Sequence, residues 1–163
     1  MPRHRLSMLA VLLALTAATS SRARDPSYVV LDPDSFQSFV ANWMPETEPK
    51  CAAMRSRADW DKVMHPAPVM GGSKPFAPGP DVWAHDGVLL VARVIPAGDT
   101  ANVFKLQGVR RADERIDVDY AFTPPARSSS TVKWWLGVRV AKPLTATVRF
   151  VENGRVVCMA SAE

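Results

Sequence analysis

The stretch RFVENGRVVC, residues 149–158, carries the strongest fold signal in the chain. Asn153 and Gly154 lie between two runs of β-favouring residues, and this pair is the preferred one for a two-residue type I′ turn. The turn predicts a hairpin with regular pairing, in which residue 150 faces 157 and residue 149 faces 158. Cys158 then lies on the opposite face from Phe150.

Strand patterns continue upstream of this hairpin. Residues 88–95 are almost continuously apolar, as in a central strand, and residues 116–122 alternate apolar and polar side chains, as in a half-buried strand. In residues 132–140 the alternation places Trp134 on the apolar face and Trp135 on the other face. The predicted strands are residues 88–95, 103–109, 116–122, 132–140 and the two arms of the hairpin, and two shorter β-prone runs cover residues 28–31 and 51–55.

Helical patterns are confined to the N-terminal part. A capping-box pattern at Asp34 and apolar residues at helical spacing predict a helix over residues 34–43. Ser56 as N-cap predicts a second helix over residues 56–64, and the Pro- and Gly-rich residues 66–80 predict a loop. The chain is therefore expected to be mainly β (α+β): an antiparallel curled sheet or small sandwich of about six strands, with one or two short N-terminal helices.

The start of the chain has the three parts of a signal peptide. A basic beginning is followed by an apolar run over residues 6–18, and Ser21 and Ala23 are small residues placed for cleavage. The apolar run is shorter than the about 20 residues that span a bilayer. We expect a leader over residues 1–23 and one exported domain over residues 24–163, periplasmic or secreted. The alternative is an uncleaved membrane anchor.

The charge balance gives no sign of a nucleic-acid partner. The whole chain has 20 Lys and Arg against 16 Asp and Glu, but three of the arginines and none of the acids lie in the expected leader. The mature chain would be close to neutral, and its basic residues are scattered among acids. A phosphate-binding surface needs a cluster of Lys and Arg. We expect neither a nucleic-acid partner nor a stable membrane span after cleavage.

The chain has two cysteines, Cys51 and Cys158. In an exported domain an isolated pair most often forms a structural disulfide. The spacing excludes a Cys-x-x-Cys redox centre. The alternatives are two buried free thiols or a bond between two molecules.

Residues that could carry catalysis are sparse. Outside the leader there are only His65 and His85, and the sequence has no nucleophile elbow, His-Glu-x-x-His motif or phosphate loop. Asp117 and Asp119 share one face of a strand, which is typical of a solvated surface; a glycosidase pair or a Ca²⁺ contact is the alternative. We expect no catalytic site, metal or cofactor. A hydrolase with an unrecognised site is the alternative.

Trp135 is the most informative candidate for binding. Its neighbours on the same strand face are Lys133 and Arg139, and a Trp beside cations is typical of an interaction hot spot or a sugar-stacking platform. The alternative is that Trp135 packs under the N-terminal segment or under the Pro/Gly loop. Trp134, on the apolar face, is expected in the core.

The order of these segments resembles that of PrcB-like C-terminal domains, named for an accessory protein of a bacterial protease complex. The resemblance covers roughly residues 51–150. It rests on the Ser-capped helix with Trp60, the apolar strand 88–95, the following Pro/Gly turn and the break at Pro124. It implies a small, non-catalytic, β-rich module that binds or stabilises another protein.

We therefore expect an exported, non-enzymatic protein-binding module of the cell envelope, whose partner is another envelope or extracellular protein. Narrower versions are a hydrolase inhibitor, an immunity protein or a protease-accessory protein. The alternative is a small-ligand or glycan-binding module that uses an exposed Trp135.

Overall fold

The computed structural model describes residues 27–41, 49–112, 114–144 and 147–161. The expected leader and Trp43 lie outside these residues. The strands are β1 (Tyr28–Leu31), β2 (Ser38–Val40), β3 (Lys50–Met54), β4 (Met64–Pro66), β5 (Asp86–Pro96), β6 (Phe104–Ala112), β7 (Arg115–Phe122), β8 (Thr131–Ala141), β9 (Thr147–Glu152) and β10 (Arg155–Ser161). The helices are α1 (Arg57–Val63) and α2 (Pro80–His85), with a 3₁₀ helix at Pro33–Ser35.

Two four-stranded sheets form a sandwich, which confirms the predicted mainly β fold. The first sheet has the strand order β1-β8-β5-β3, and the second has the order β10-β9-β7-β6. The pairs are antiparallel except β7 with β9, which run parallel. The parallel pair arises because β8, which lies between them in sequence, belongs to the other sheet. A separate short pair joins β2 to β4.

The main core lies between the two sheets. It follows from strand alternation, because every second residue of the inner strands points towards the opposite sheet. Tyr120 and Phe150 are its largest fully buried side chains. The buried residues are Leu89, Val91, Val109, Ile116, Val118, Tyr120, Leu136, Val138, Val140, Val148 and Phe150.

A second core covers the other face of the first sheet. The 3₁₀ helix, β2, α1, β4, the following loop and α2 form an outer layer whose apolar side chains surround the fully buried Trp60. The Trp60 indole donates a hydrogen bond to the Phe76 carbonyl at 3.1 Å. Burial on both faces explains why β5 is apolar almost throughout, since neither set of its side chains reaches water.

The predicted disulfide is present and joins the two sheets. Cys51 on β3 bonds Cys158 on β10, with their Cα atoms 6.4 Å apart. The predicted turn is also confirmed, since Asn153 and Gly154 have φ values of 50° and 82°. The predicted register is wrong beyond residue 156, because a bulge at residue 157 brings Cys158 opposite Phe150. The bulge turns Cys158 towards the main core, where it can reach β3.

The predicted helix over residues 34–43 is wrong for residues 34–41, the part of it that the structure describes. The chain forms only the 3₁₀ turn and then the strand β2, whose backbone pairs with β4. Gln37 continues this pairing, since its carbonyl accepts a hydrogen bond from the Ala67 amide at 2.8 Å. Phe36 packs on Trp60 and Val40 is buried, whereas Phe39 is 46% exposed. The helical spacing of these aromatics was therefore coincidental, and a distant strand determined the local structure.

The second predicted helix is confirmed as α1. The Ser56 hydroxyl accepts a hydrogen bond from the Asp59 amide at 3.1 Å, as expected of an N-cap. The sequence prediction missed α2, a helix of six residues. Pro80 at its first turn was the available signal.

A polar cluster lies at one end of the main core. Arg93 on β5 binds the Glu152 carboxylate through two nitrogens, at 2.6 and 3.2 Å. The Tyr120 hydroxyl donates to the same carboxylate at 3.1 Å. Burial raises the pKa of Tyr120, and the neighbouring Glu152 charge raises it further, so the phenol stays protonated. This cluster joins β5 of the first sheet to β7 and β9 of the second.

Candidate binding surface

One side of the sandwich is closed and the opposite side is open. The closed side has the edge strands β3 and β10, joined by the disulfide. The open side has the other two edge strands, β1 and β6. The N–H and C=O groups of alternate residues in an edge strand point outward in the plane of the sheet, where the backbone of another chain can pair with them. In the described part of the chain no further strand pairs with β1 or β6, so the open side offers unpaired backbone groups.

Strand β1 is an unusually apolar edge. Tyr28, Val29 and Val30 are 41%, 47% and 49% exposed, although each is paired with a residue of β8. Soluble proteins commonly protect edge strands with charged residues or proline. None of the four residues of β1 is charged, so this edge has no such protection.

A groove of about 530 Å³ continues from the end of β1 and is called here the open-edge groove. Trp134 and Phe104 provide its aromatic wall, while Asp32, Asp34 and Asp99 provide its charge. No Lys, Arg or His is among its lining residues. The lining residues are Val30, Leu31, Asp32, Pro33, Asp34, Asp99, Thr100, Ala101, Phe104, Trp134, Trp135 and Leu136.

Local hydrogen bonds hold two of these carboxylates in place. Asp32 caps the 3₁₀ helix, accepting from the Asp34 amide and the Ser35 hydroxyl, each at 3.0 Å. Asp99 accepts from the Ala101 amide at 2.9 Å. The amide and hydroxyl donors carry no formal charge, so none of these bonds brings a cation to either carboxylate. The groove therefore presents positioned negative charge.

The predicted platform lacks its exposed indole, because Trp135 is buried while Lys133 and Arg139 are half-buried. Trp135 is 3% exposed, and its ring lies 6.1 Å from that of Trp60 and 6.2 Å from that of Phe36. The Lys133 ammonium donates to the Val40 carbonyl at 3.3 Å, and Arg139 pairs with Asp86 at 3.0 Å. The expectation of an exposed Trp135 is wrong because the outer layer covers that face of β8.

Trp134 takes the accessible position instead. It is only half-buried, although alternation placed it on the face of the main core. The reason is its position on β8 beyond the core residues Leu136 to Val140, where the opposite sheet no longer covers it. Two adjacent tryptophans must point to opposite faces of a strand, but the sequence does not show which face is covered.

Asp117 and Asp119 are used by arginines of the same sheet. Arg149 donates to both oxygens of Asp117, at 2.7 and 2.8 Å, and Arg110 binds Asp119 at 3.0 and 3.1 Å. The Arg149 hydrogen bonds hold the pKa of Asp117 below its usual value. The predicted solvated face is wrong for Asp117, which is only 6% exposed because Arg149 covers its carboxylate. Both carboxylates are paired with arginines, which leaves neither free to serve as a general acid.

The two histidines lie apart from these acids in sequence and structure. His65 is in β4, where its ring meets the edge of Phe39 at a centroid distance of 6.1 Å, and His85 ends α2. Within the described ranges, no group of three or more His, Cys, Asp or Glu residues could hold a metal ion. The three carboxylates of the open-edge groove therefore do not converge on one point.

A second depression, of about 500 Å³, lies between residues 34–38 and the loop 67–74. Val69 and Met70 at its rim are 65% and 101% exposed. Gln37 holds the loop in place, because its backbone N–H donates a hydrogen bond to the Pro75 carbonyl at 2.9 Å. Apolar exposure thus occurs at this loop as well as at β1.

No family model, curated protein or solved structure matches the chain. The resemblance to PrcB-like domains therefore remains a prediction. Among the helices in the described part of the chain, none is long and apolar enough to cross a membrane.

Proposed function

We propose that this protein is an exported, non-enzymatic protein-binding domain that pairs an extended segment of its partner with β1. The observation that carries the proposal is the open, apolar edge strand, with Tyr28, Val29 and Val30 each at least 41% exposed. Strand addition to an exposed sheet edge is a recurrent mode of peptide recognition, in which backbone hydrogen bonds provide affinity and neighbouring pockets provide specificity. The open-edge groove is such a neighbouring pocket.

Export is part of the proposal. The Cys51–Cys158 disulfide is typical of proteins that fold in oxidising compartments. Together with the signal-peptide pattern of residues 1–23, it favours a periplasmic or secreted protein. The partner is then another envelope or extracellular protein. An inhibitor, an immunity protein and a protease-accessory protein are all consistent with this mode of binding.

The second candidate is a glycan-binding module. The half-buried Trp134 in a groove with carboxylates supports it, since sugars stack on indoles and their hydroxyls donate to carboxylates. The unprotected edge strand favours a peptide over a sugar, because a glycan would leave the backbone groups of β1 unpaired. Titration with soluble cell-wall oligosaccharides, followed by tryptophan fluorescence, tests this candidate directly.

Photo-cross-linking tests the proposed edge. Benzoylphenylalanine replaces Val29 on β1 in one sample and Met159 in the control, which is 66% exposed on β10 at the closed side. We expect an adduct with a discrete envelope protein from position 29 only. Unlabelled Met159→Glu protein should compete for this adduct, and Val29→Glu protein should not. Identical adducts from both positions, or none from position 29, would contradict the proposal.

A further inference from the structure

We infer that the partner segment is basic and that it places a Lys or Arg side chain in the open-edge groove beside Trp134. This inference rests on the proposed strand addition to β1 and adds the chemistry of the partner.

The acids of the groove differ from most of the other acids that the structure describes. Six described acids have ion pairs with Lys or Arg of this chain, whereas the acids of the groove have none within the described residues. The difference is not a result of acidic composition, because Lys and Arg outnumber Asp and Glu by 20 to 16 in the whole chain. The ion-paired acids are Asp59, Asp61, Asp86, Asp117, Asp119 and Glu152.

Among the described residues, Asp32, Asp34 and Asp99 do not form a cluster that could hold a metal ion. Spread carboxylates around an apolar wall instead complement a long cationic side chain. The methylene groups of Lys or Arg pack on aromatic rings while the charged end meets carboxylates, and an indole attracts a cation placed over its face. Trp134 and Phe104 supply these rings.

The geometry of β1 directs such a side chain into the groove. Tyr28 and Val30 pair with Val140 and Val138, which belong to the main core, so they point to the same side of the sheet as Leu136 and Trp134. A strand added beside β1 has the same alternation, and every second side chain points to that side. A basic residue near the end of β1 then lies over the open-edge groove.

Fluorescence anisotropy of the mature protein tests this inference with three labelled hexapeptides. In the first, lysine and valine alternate; the second has glutamate in place of lysine; the third is the lysine peptide with N-methylated valines. We expect the first to bind, with affinity that falls as salt rises because charge attraction is screened. The glutamate peptide should not bind, and N-methylation, which removes backbone donors, should weaken binding at least about tenfold, or about 1.4 kcal/mol.

The matched variants are Asp34→Asn with Asp99→Asn, in the groove, and Asp61→Asn on α1, where Asp61 is half exposed and paired with Arg57. The groove variant should bind the lysine peptide at least about tenfold more weakly, and the control should bind it as wild type does. Circular dichroism checks that all variants are folded.

The outcomes separate this inference from the proposed function. A cross-link from position 29 together with equal binding of the lysine and glutamate peptides keeps the proposed function and overturns the inference. Absence of both the cross-link and peptide binding overturns both. Tight binding of neutral cell-wall oligosaccharides, displaced by no peptide, also overturns both and favours the glycan-binding candidate.

Discussion

The disulfide between Cys51 and Cys158 should provide a large part of the stability of the fold. The two cysteines are separated by 107 residues in sequence. For a closed loop of about 100 residues, the chain-entropy account gives a stabilisation of about 4.7 kcal/mol, because the bond restricts the unfolded chain. Domains of this kind have unfolding free energies of about 5–15 kcal/mol, so loss of the bond would leave a marginally stable protein.

Urea unfolding of Cys51→Ala, Cys158→Ala and the double variant, followed by tryptophan fluorescence, measures this contribution. With a denaturant dependence of about 2 kcal/mol per molar, the loss corresponds to a midpoint about 2 M lower. The two single variants and the double variant should lose nearly the same amount, since a bond is lost only once. A reducing agent should lower the wild-type midpoint to a similar value and leave the double variant unchanged.

Two results would refute this reasoning. If the loss in the double variant equals the sum of the single losses, the cysteines act through independent packing in the main core and not through a shared bond. If reduction leaves the wild-type urea midpoint unchanged, the disulfide does not contribute to the free energy of unfolding.

Three further predictions concern individual side chains. Arg149 holds the pKa of Asp117 below its usual value of 3.8. The pair therefore stabilises the fold above that pH, and this stability is lost as the pH falls through the lowered pKa. The loss of unfolding free energy caused by Asp117→Asn, measured by urea unfolding, should therefore shrink below about pH 4. Trp135→Ala should cost about 3–5 kcal/mol in unfolding free energy and Trp134→Ala clearly less, since only the first is fully packed; equal losses would contradict this assignment. Asn153→Gly should unfold at higher urea than Asn153→Ala, because glycine adopts the positive φ of 50° without steric cost, and the reverse order would exclude turn strain as the cause.

The C-terminal hairpin shows how far local sequence reasoning reaches. The pair Asn153–Gly154 identified the turn, because positive φ at two successive positions restricts the choice of residues. The bulge at residue 157 was not predictable, since no residue there marks it. The bulge turns Cys158 towards the main core, where it bonds Cys51, a residue far away in sequence.

The N-terminal segment shows where such reasoning fails. Phe36, Phe39 and Val40 fit the spacing of a helix, but β4 and the loop beyond it supply backbone partners that hold the segment as a strand. A helix is stabilised within its own segment, whereas a strand depends on a partner that can be far away in sequence. Propensity in a window of ten residues therefore could not decide between the two.

The sequence by itself indicated the eight strands of the two sheets, the α1 cap and the hairpin turn, because each depends on local backbone preference, and it favoured the pairing of the two cysteines. It missed β2 and β4, which pair with each other. The tertiary structure alone decided that Trp135 is buried and Trp134 accessible, that β1 is an open edge, and that Asp32, Asp34 and Asp99 share a groove. These features depend on which strand ends without a neighbour and which face the outer layer covers. The open edge and the covered face both result from packing between segments that are far apart in the chain, and a pattern of neighbouring residues does not show such packing.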